Sequence, residues 1–168
     1  MRMFAILVPV VGASIAAGLP LARYVEKQRH EAIAVTTLRL IHDGQQQHRA
    51  TFGGYATDLA TLATGCPGNV PPLPADILDD LAGAGYVLEL RAATDATPAG
   101  QDCQGRPMAT DYYVSASPRT AWEAAGKAFA GRADRELFVF VDGVPPRESD
   151  MTSGLPITVD ELDSFKIP

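Results

Sequence analysis

Two helical patterns follow one another in the N-terminal third of the chain. Residues 3–22 carry no charged side chain, and at ~1.5 Å per residue such a run is long enough to cross a bilayer as a helix. Further along, residues at spacings of four and three form one stripe of an amphipathic helix: Ala34, Leu38, Ile41, Gln45 and His48. Together the two patterns predict one helix, from residue 3 to about residue 51.

Glycine and proline residues lie within this predicted helix and directly after it. Gly18 and Pro20 lie late in the apolar run, and we expect a bend there because proline removes a backbone donor and crowds the preceding turn. Gly53 and Gly54 follow the last predicted turn, where glycine commonly ends a helix. The other faces predict a solvated surface formed by Lys27, Arg29, Glu31, Arg39, Asp43 and Gln46.

The pattern changes to short β-branched and aromatic runs after residue 85. Residues 86–90, 111–116 and 136–141 predict three strands. Residues 92–110, rich in glycine and proline, predict a long loop. For residues 122–129 a short helix and an ordered loop are both compatible with the sequence.

The last of these strands is apolar on both faces, which is typical of a central strand covered by a helix. Phe138 or Phe140 is therefore expected to reach the helix, with helix–head packing at Ala34, Leu38 and Ile41. The predicted fold class is α+β: a long N-terminal helix, transmembrane in its first half, packed on a small antiparallel β-sheet head. Its parts are the transmembrane half of the helix, the amphipathic half, the globular αβ head and a C-terminal tail without a clear partner: residues 3–22, 23–52, 53–150 and 151–168.

Cys66 and Cys103 are the only cysteines. Both lie in loop-like sequence, without a CxxC spacing or a histidine partner that would indicate a metal pair. The apolar N-terminus, as a retained anchor or as a cleaved signal peptide, would export the rest of the chain. A disulfide is therefore predicted, with two free thiols as the alternative. More Lys and Arg follow the apolar run than precede it. By the positive-inside rule, this charge distribution would leave the C-terminal part of the chain in the cytoplasm instead.

Charge and histidine spacing argue against several function classes. A net charge of −6 and a pI of about 4.9 argue against a nucleic-acid partner, because phosphate binding needs a basic face. His30 and Glu31 begin like a zinc HExxH signature, but Ala34 stands where the second histidine belongs. His42 and His48 are six positions apart, about 240° around a helix, and cannot converge on one ion. The sequence predicts no enzyme, no catalytic residues, no metal site and no cofactor.

An acidic cluster lies towards the C-terminus. It could hold calcium, but it lacks the fixed alternation of ligands in a calcium-binding loop. A solvated acidic surface is the favoured interpretation for Asp150, Asp160, Glu161 and Asp163.

The order of these features resembles the type IV pilin and pseudopilin family, most closely its short pilin-like proteins. The residues that carry the resemblance cover most of residues 12–148: Gly12, Leu19-Pro20, Glu31-Ala32 through Leu38-Arg39-Leu40-Ile41, Phe52-Gly53-Gly54-Tyr55-Ala56 with Leu59 and Leu62, Gly65-Cys66-Pro67, Gly85-Tyr86, Tyr112 to Ala116 with Pro118, and Phe138 to Asp142-Gly143. The resemblance rests on the order of the whole set rather than on any single piece.

The resemblance implies a bacterial structural subunit of a type IV pilus, type II secretion or competence filament. Such a subunit crosses the inner membrane once and places its head in the periplasm or on an extracellular filament. Its partners would be other pilin-like subunits, the inner membrane and an assembly machinery. The alternative is a single-anchored or secreted periplasmic binding module without a filament role.

The chain departs from the family at its N-terminus. Family members begin with a short basic leader, a cleaved Gly or Ala, and then Phe-Thr-Leu-x-Glu. Aligned on Gly12 and Pro20, the position of that glutamate falls near Met3, so leader and glutamate are both missing from the sequence. A start codon placed too far downstream and an atypical, unprocessed member would each produce this pattern, and we expect the former.

Overall fold

A computed structural model of the protein describes the following residues: 8–68, 70–74, 76–119, 126–133, 135–144, 146–152 and 154–157. Within these ranges, side chains are described except at residues 8–21, 135, 136 and 152. The elements are helices α1 (Val8–Phe52), α2 (Leu59–Thr64) and α3 (Asp76–Gly83), a 3-10 helix (Glu148–Thr152), and strands β1 (Tyr55–Ala56), β2 (Tyr86–Ala92), β3 (Pro98–Gln101), β4 (Pro107–Ala109), β5 (Tyr112–Pro118), β6 (Ala128–Arg132), β7 (Arg135–Phe140) and β8 (Leu155–Pro156).

Helix α1 is 45 residues long and continues through Gly18 and Pro20. Residues 22–29 are exposed, whereas the helix packs on the rest of the chain from Glu31 onward. One helix therefore begins outside the head and ends inside it, as the sequence indicates. The bend at Gly18 and Pro20 stays a prediction.

No helix within the described part of the chain is long and apolar enough to cross a membrane. The predicted transmembrane segment, residues 3–22, falls on residues whose side chains, apart from that of Ala22, lie outside the described part.

Two antiparallel sheets form the head. The larger has the strand order β2-β5-β6-β7-β8, and the smaller has the order β1-β4-β3. In the larger sheet β2 and β5 pair along their whole length, from Tyr86 opposite Pro118 to Ala92 opposite Tyr112. The head is thus α+β with antiparallel sheets, and it contains more strands than the three predicted.

One face of the larger sheet lies against α1. The core between them contains Ala34, Leu38 and Ile41 of the helix, each fully buried, together with residues of α3 and of strands β2, β5 and β6. The helical stripe read from the sequence is therefore the buried face of α1. Burial of this face is the main contribution to holding the helix on the sheet, because apolar area removed from water stabilises the fold.

The structure corrects the predicted contact from β7. Leu137 and Val139 pack against the core that α1 shares. Phe138 and Phe140 lie on the other face of the sheet, where they pack against a second cluster that contains Met151. The prediction of Phe138 and Phe140 as helix-packing residues is wrong, because alternate residues of a strand point to opposite faces.

Two further segments differ from the sequence interpretation. Residues 128–132 form strand β6 in the middle of the sheet, where the sequence suggested a helix or loop up to residue 129. The segment treated as a tail contributes β8, which pairs with β7, and a buried Ile157. Residues 151–152 and 154–157 therefore belong to the head.

Candidate functional site

The end of α1 is shaped by the two glycines that follow it. Gly53 has a φ of 87°, and its N–H donates to the carbonyl of Arg49, which is the left-handed cap that favours glycine. A Cβ at Gly54 would lie 2.8 Å from the Cβ of Ala99 and 2.9 Å from the Cβ of Met108. Both glycines are therefore needed for the chain to leave the helix and enter β1.

Two polar side chains of the helical stripe hold this exit in place. The fully buried Gln45 accepts from the N–H of Ala56 and donates to the carbonyl of the same residue, both at 2.8 Å. The buried His48 places Nδ1 2.8 Å from the carbonyl of Gly54, so that nitrogen carries the proton. The sequence placed both residues on the stripe but did not reveal these contacts.

The predicted disulfide between Cys66 and Cys103 is confirmed. It joins the segment after α2 to the loop between β3 and β4, and the two Cα atoms are 6.1 Å apart. Gln104 reinforces the link, since its side-chain amide donates to the carbonyl of Gly65.

Asp102 stabilises the loop that carries Cys103. Its buried carboxylate accepts from the backbone N–H groups of Gln104 and Arg106 and from the Arg106 guanidinium at 2.7 Å. Burial alone would raise the pKa of Asp102, but these hydrogen bonds and the charge of Arg106 outweigh it and lower the pKa. Arg106 also donates to the hydroxyl of Thr64 at 2.6 Å, which ties the loop to α2.

A cavity of about 330 Å³ lies between the last turns of α1 and the disulfide-bonded loop. Its wall is formed by Gln47, His48, Thr51, Phe52, Thr61, Gly65, Cys66, Gly68, Val70, Pro72 and Arg106. Nε2 of His48 is buried and has no hydrogen-bond partner among the described residues. Such a group is uncommon in folded proteins, and it makes this cavity the candidate functional site.

His42, another helix histidine that the sequence singled out, contacts the core. Its Nδ1 shares a hydrogen bond of 2.7 Å with the hydroxyl of Tyr112. Tyr112 is fully buried and meets the ring of Tyr55 edge to face, with ring centroids 5.1 Å apart. Burial and the neighbouring Tyr55 raise the pKa of Tyr112, so its hydroxyl stays protonated and available as a donor.

Glu31 was predicted to face solvent and is instead buried. Its carboxylate accepts from the backbone N–H of Lys127 at 3.3 Å and lies 3.6 Å from Nζ of the same residue. Lys27, one turn earlier, lies 3.9 Å away. Glu31 therefore joins α1 to the start of β6 at the point where the helix leaves the head. Its position three residues before Ala34 is the signal in the sequence that would have placed it on the stripe.

Ion pairs close the far side of the larger sheet. Glu148 of the 3-10 helix lies 2.8 Å from Arg91 and 3.2 Å from Arg132, and it also accepts from the N–H and hydroxyl of Thr94. Burial would raise the pKa of Glu148, but the hydrogen bonds from Thr94 and Arg91 lower it. Arg132 also pairs with Asp111. This network attaches the C-terminal part of the head to β2 and β6.

Metal-binding geometry within the described residues is limited to Cys66, Asp102 and Cys103. The two sulfurs are joined to each other and the carboxylate is held by Arg106, so this group is committed to structure. Of the acidic C-terminal cluster, Asp150 bonds to the N–H of Arg147 and the hydroxyl of Ser149, and the other three members lie outside the described residues.

The chain matches no protein-family model, no curated protein and no solved structure.

Proposed function

We propose that the protein is a pilin-like structural subunit, held in the bacterial inner membrane by residues 3–22 and assembled with other subunits through its N-terminal helix. The single observation that carries the proposal is the division of α1. Its C-terminal part supplies the buried stripe of the head, whereas residues 22–29 are exposed. The helix is therefore both the core of one domain and a projecting segment.

The exposed segment has the chemistry of a surface that a partner covers. Tyr24 and Val25 each keep 58% of their surface exposed, and the uncharged residues 3–22 precede them. Bringing such segments of several subunits together removes apolar area from water and lipid, at about 25 cal/mol per Å² for the part taken from water. A head fixed rigidly to its helix, through Glu31 and the stripe, would then coat the outside of the assembly.

A binding module without a filament role is the second candidate. The observation in its favour is the cavity at the end of α1, which His48 helps to line. In that case the apolar N-terminus would act as a simple anchor or as a signal peptide cleaved near Ala22.

The state of the N-terminus in cells distinguishes the two candidates. The filament proposal expects the mature protein in the membrane fraction, with residues 3–22 still present in its intact mass. A soluble, monomeric protein cleaved near Ala22 would contradict it. The intact mass of the protein from fractionated bacteria therefore distinguishes the filament subunit from the binding module.

A further inference from the structure

We propose that the free edge of β2 pairs with the same edge of a second copy of this chain, so that the larger sheets of two heads join into one antiparallel sheet. The proposal goes beyond assembly through the N-terminal helix and does not depend on it. It rests on the open backbone groups of β2, on the charges of Glu89 and Arg91, and on the register that pairs these charges.

Strand β2 is an edge of the larger sheet, and the hydrogen bonds at its two ends show which residues bond to β5. The N–H of Ala93 donates to the carbonyl of Asp111, and the N–H of Arg119 donates to the carbonyl of Gly85. Both pairs continue the register between β2 and β5, and hydrogen-bonded pairs alternate along an antiparallel ladder. Odd-numbered residues of β2 therefore bond to β5, and even-numbered residues turn their N–H and carbonyl groups to the free edge.

Leu88 and Leu90 carry the open groups in the middle of this edge. Within the part of the chain that the structure describes, their N–H and carbonyl groups have no hydrogen-bond partner. Such a row of unpaired backbone groups is a template for another strand. The opposite edge, β8, has two residues and includes Pro156, and both features protect an edge. Strand β2 has seven residues and no proline, so it is the edge of this sheet that can accept a strand.

The charges on β2 favour a second copy as the partner. Glu89 and Arg91 lie two residues apart on the face opposite α1, where the Arg91 guanidinium lies over the ring of Tyr113. Within one chain Arg91 pairs with Glu89 at 3.0 Å and with Glu148 at 2.8 Å, so its position on this face is fixed. The side chain of Glu89 is 58% exposed. One acidic and one basic residue on the same face are self-complementary when two copies of the strand run antiparallel.

Three symmetric registers are centred within the open stretch, and one of them brings these charges together. Centring on Leu88 places Glu89 opposite Val87. Centring on Glu89 places two carboxylates opposite each other, which is unfavourable. Centring on Leu90 places Glu89 of each copy opposite Arg91 of the other. It also lets the N–H of each Leu90 donate to the carbonyl of the other Leu90.

The symmetry of this pair decides which copies it joins. A two-fold axis between antiparallel strands of one sheet is perpendicular to that sheet. It therefore reverses the direction of α1, which lies against the sheet, and the N-terminal segments of the two copies point in opposite directions. The contact consequently joins heads of two assemblies, or heads anchored in two membranes, rather than neighbours in one membrane.

The test of the register uses the full chain in detergent, with its disulfide intact. Val87→Cys places a nitroxide label at a position that is 48% exposed, and dipolar EPR measures the distance between the labels of two copies. In the register centred on Leu90, Val87 lies opposite Ala93 of the second copy. The two labelled backbone positions are then about 20 Å apart at 3.4 Å per residue. The registers centred on Glu89 and Leu88 would bring them to about 14 Å and about 8 Å.

Charge variants test the partner in the same detergent by sedimentation equilibrium. Glu89→Lys converts two attractive cross-strand pairs into two repulsive pairs and should raise the Kd of the dimer about tenfold. Glu89→Gln removes the attraction alone and should raise it less. Asp142→Lys makes the same change of charge at an exposed position after β7, which β5 and β6 separate from β2. This control should leave the Kd unchanged.

Three results would overturn the proposal: a chain that stays monomeric, a dimer without the separation of about 20 Å at Val87, or equal Kd values for Glu89→Lys and Asp142→Lys. Oligomers formed through the N-terminal helix behave differently, because Glu89→Lys leaves them intact and they do not produce that separation. Failure of the edge pairing is therefore distinguishable from failure of assembly through the helix.

Discussion

Buried polar residues of α1 form the backbone hydrogen bonds with the segment at β1 that a second neighbouring strand would otherwise form. Strand β1 pairs with β4 on one edge, and the side-chain amide of Gln45 satisfies both backbone groups of Ala56. A buried backbone group left without a partner is costly, so this glutamine has a structural reason to be polar. Helical periodicity placed Gln45 on the buried face, but only the fold reveals its partner, because that partner is on another element.

Replacing Gln45 by Leu should therefore destabilise the head although it adds apolar character to a buried site. The change leaves the N–H and the carbonyl of Ala56 unpaired, which should lower the free energy of unfolding by about 2 kcal/mol or more. Denaturant unfolding of the full chain in detergent measures this. Gln47→Leu, at an exposed position two residues later on α1, is the matched control and should change the free energy of unfolding little. Equal effects would contradict the assigned role.

The acid stability of the head should depend on Asp102. Its pKa is lower in the folded protein than in the unfolded chain, so it contributes stability above its ordinary pKa of about 4. That contribution is lost as the pH falls through the lowered pKa. Asp102→Asn should therefore make the protein less stable at neutral pH and flatten the loss of stability below about pH 4.

The measurement is the free energy of unfolding between neutral and acidic pH. Glu148, whose pKa is also lowered, should keep part of the acid sensitivity in the variant. Asp43→Asn, at an exposed position on α1, serves as the control and should leave the pH profile unchanged. An Asp102→Asn profile parallel to that of the unaltered protein would show that this carboxylate does not carry the acid dependence.

Among the elements, the strands show where sequence patterns stop being informative. Strand β7 is apolar at Leu137, Phe138, Val139 and Phe140, so alternation cannot tell which pair meets the helix. Large aromatic residues appeared the natural partners for α1, yet they fill the cluster around Met151 on the other face. The choice depends on the 3-10 helix that covers that face, which is distant in sequence from α1.

Strands β6 and β8 were missed for a related reason. The run Ala128–Arg132 is mostly alanine and glycine, which have low β propensity, and it becomes a strand because β5 and β7 pair with it on both sides. Strand β8 is two residues long and includes a proline, and among the described strands it pairs with β7 alone. Both strands form because of pairing with strands distant in the sequence, and such pairing cannot be predicted from the local sequence.

The helix-to-sheet contact can be tested at Leu38. This side chain is fully buried in the core between α1 and the larger sheet, and Leu→Ala at such a site costs about 2–5 kcal/mol. Leu38→Ala should therefore lower the denaturant midpoint of the full chain sharply. Thr36→Ala, exposed and two residues earlier on the same helix, should shift it little. Small and equal shifts at both positions would mean that α1 does not form the core of the head.

At the scale of the whole molecule, one part of helix α1 is exposed and another part is packed in the head. The described part of the head ends at Ile157 rather than at residue 150. The larger sheet packs on α1, the disulfide joins the segment after α2 to the loop between β3 and β4, and the Glu148 network attaches the 3-10 helix to β2 and β6. The sequence placed the boundary between the two halves of the helix at residue 22, where the uncharged run ends, whereas burial on the head begins at Glu31. It also predicted the disulfide, from the expected export of the head and from the presence of two cysteines.

The proposed assembly requires the exposed segment of α1 to meet other subunits. Incorporation of the photo-crosslinker benzoylphenylalanine at Tyr24, which is 58% exposed, places a reactive group in that segment at a position that already holds an aromatic ring. The control is the same group at Val70, which is 82% exposed on the head. Illumination of intact bacteria followed by immunoblotting reads out covalent products.

The account predicts a ladder of covalent multimers of this chain, or products with other subunits of the proposed assembly, from the position of Tyr24, and none or few from that of Val70. Only monomers from both positions, in cells where the full-length protein is in the membrane fraction, would contradict assembly through the N-terminal helix.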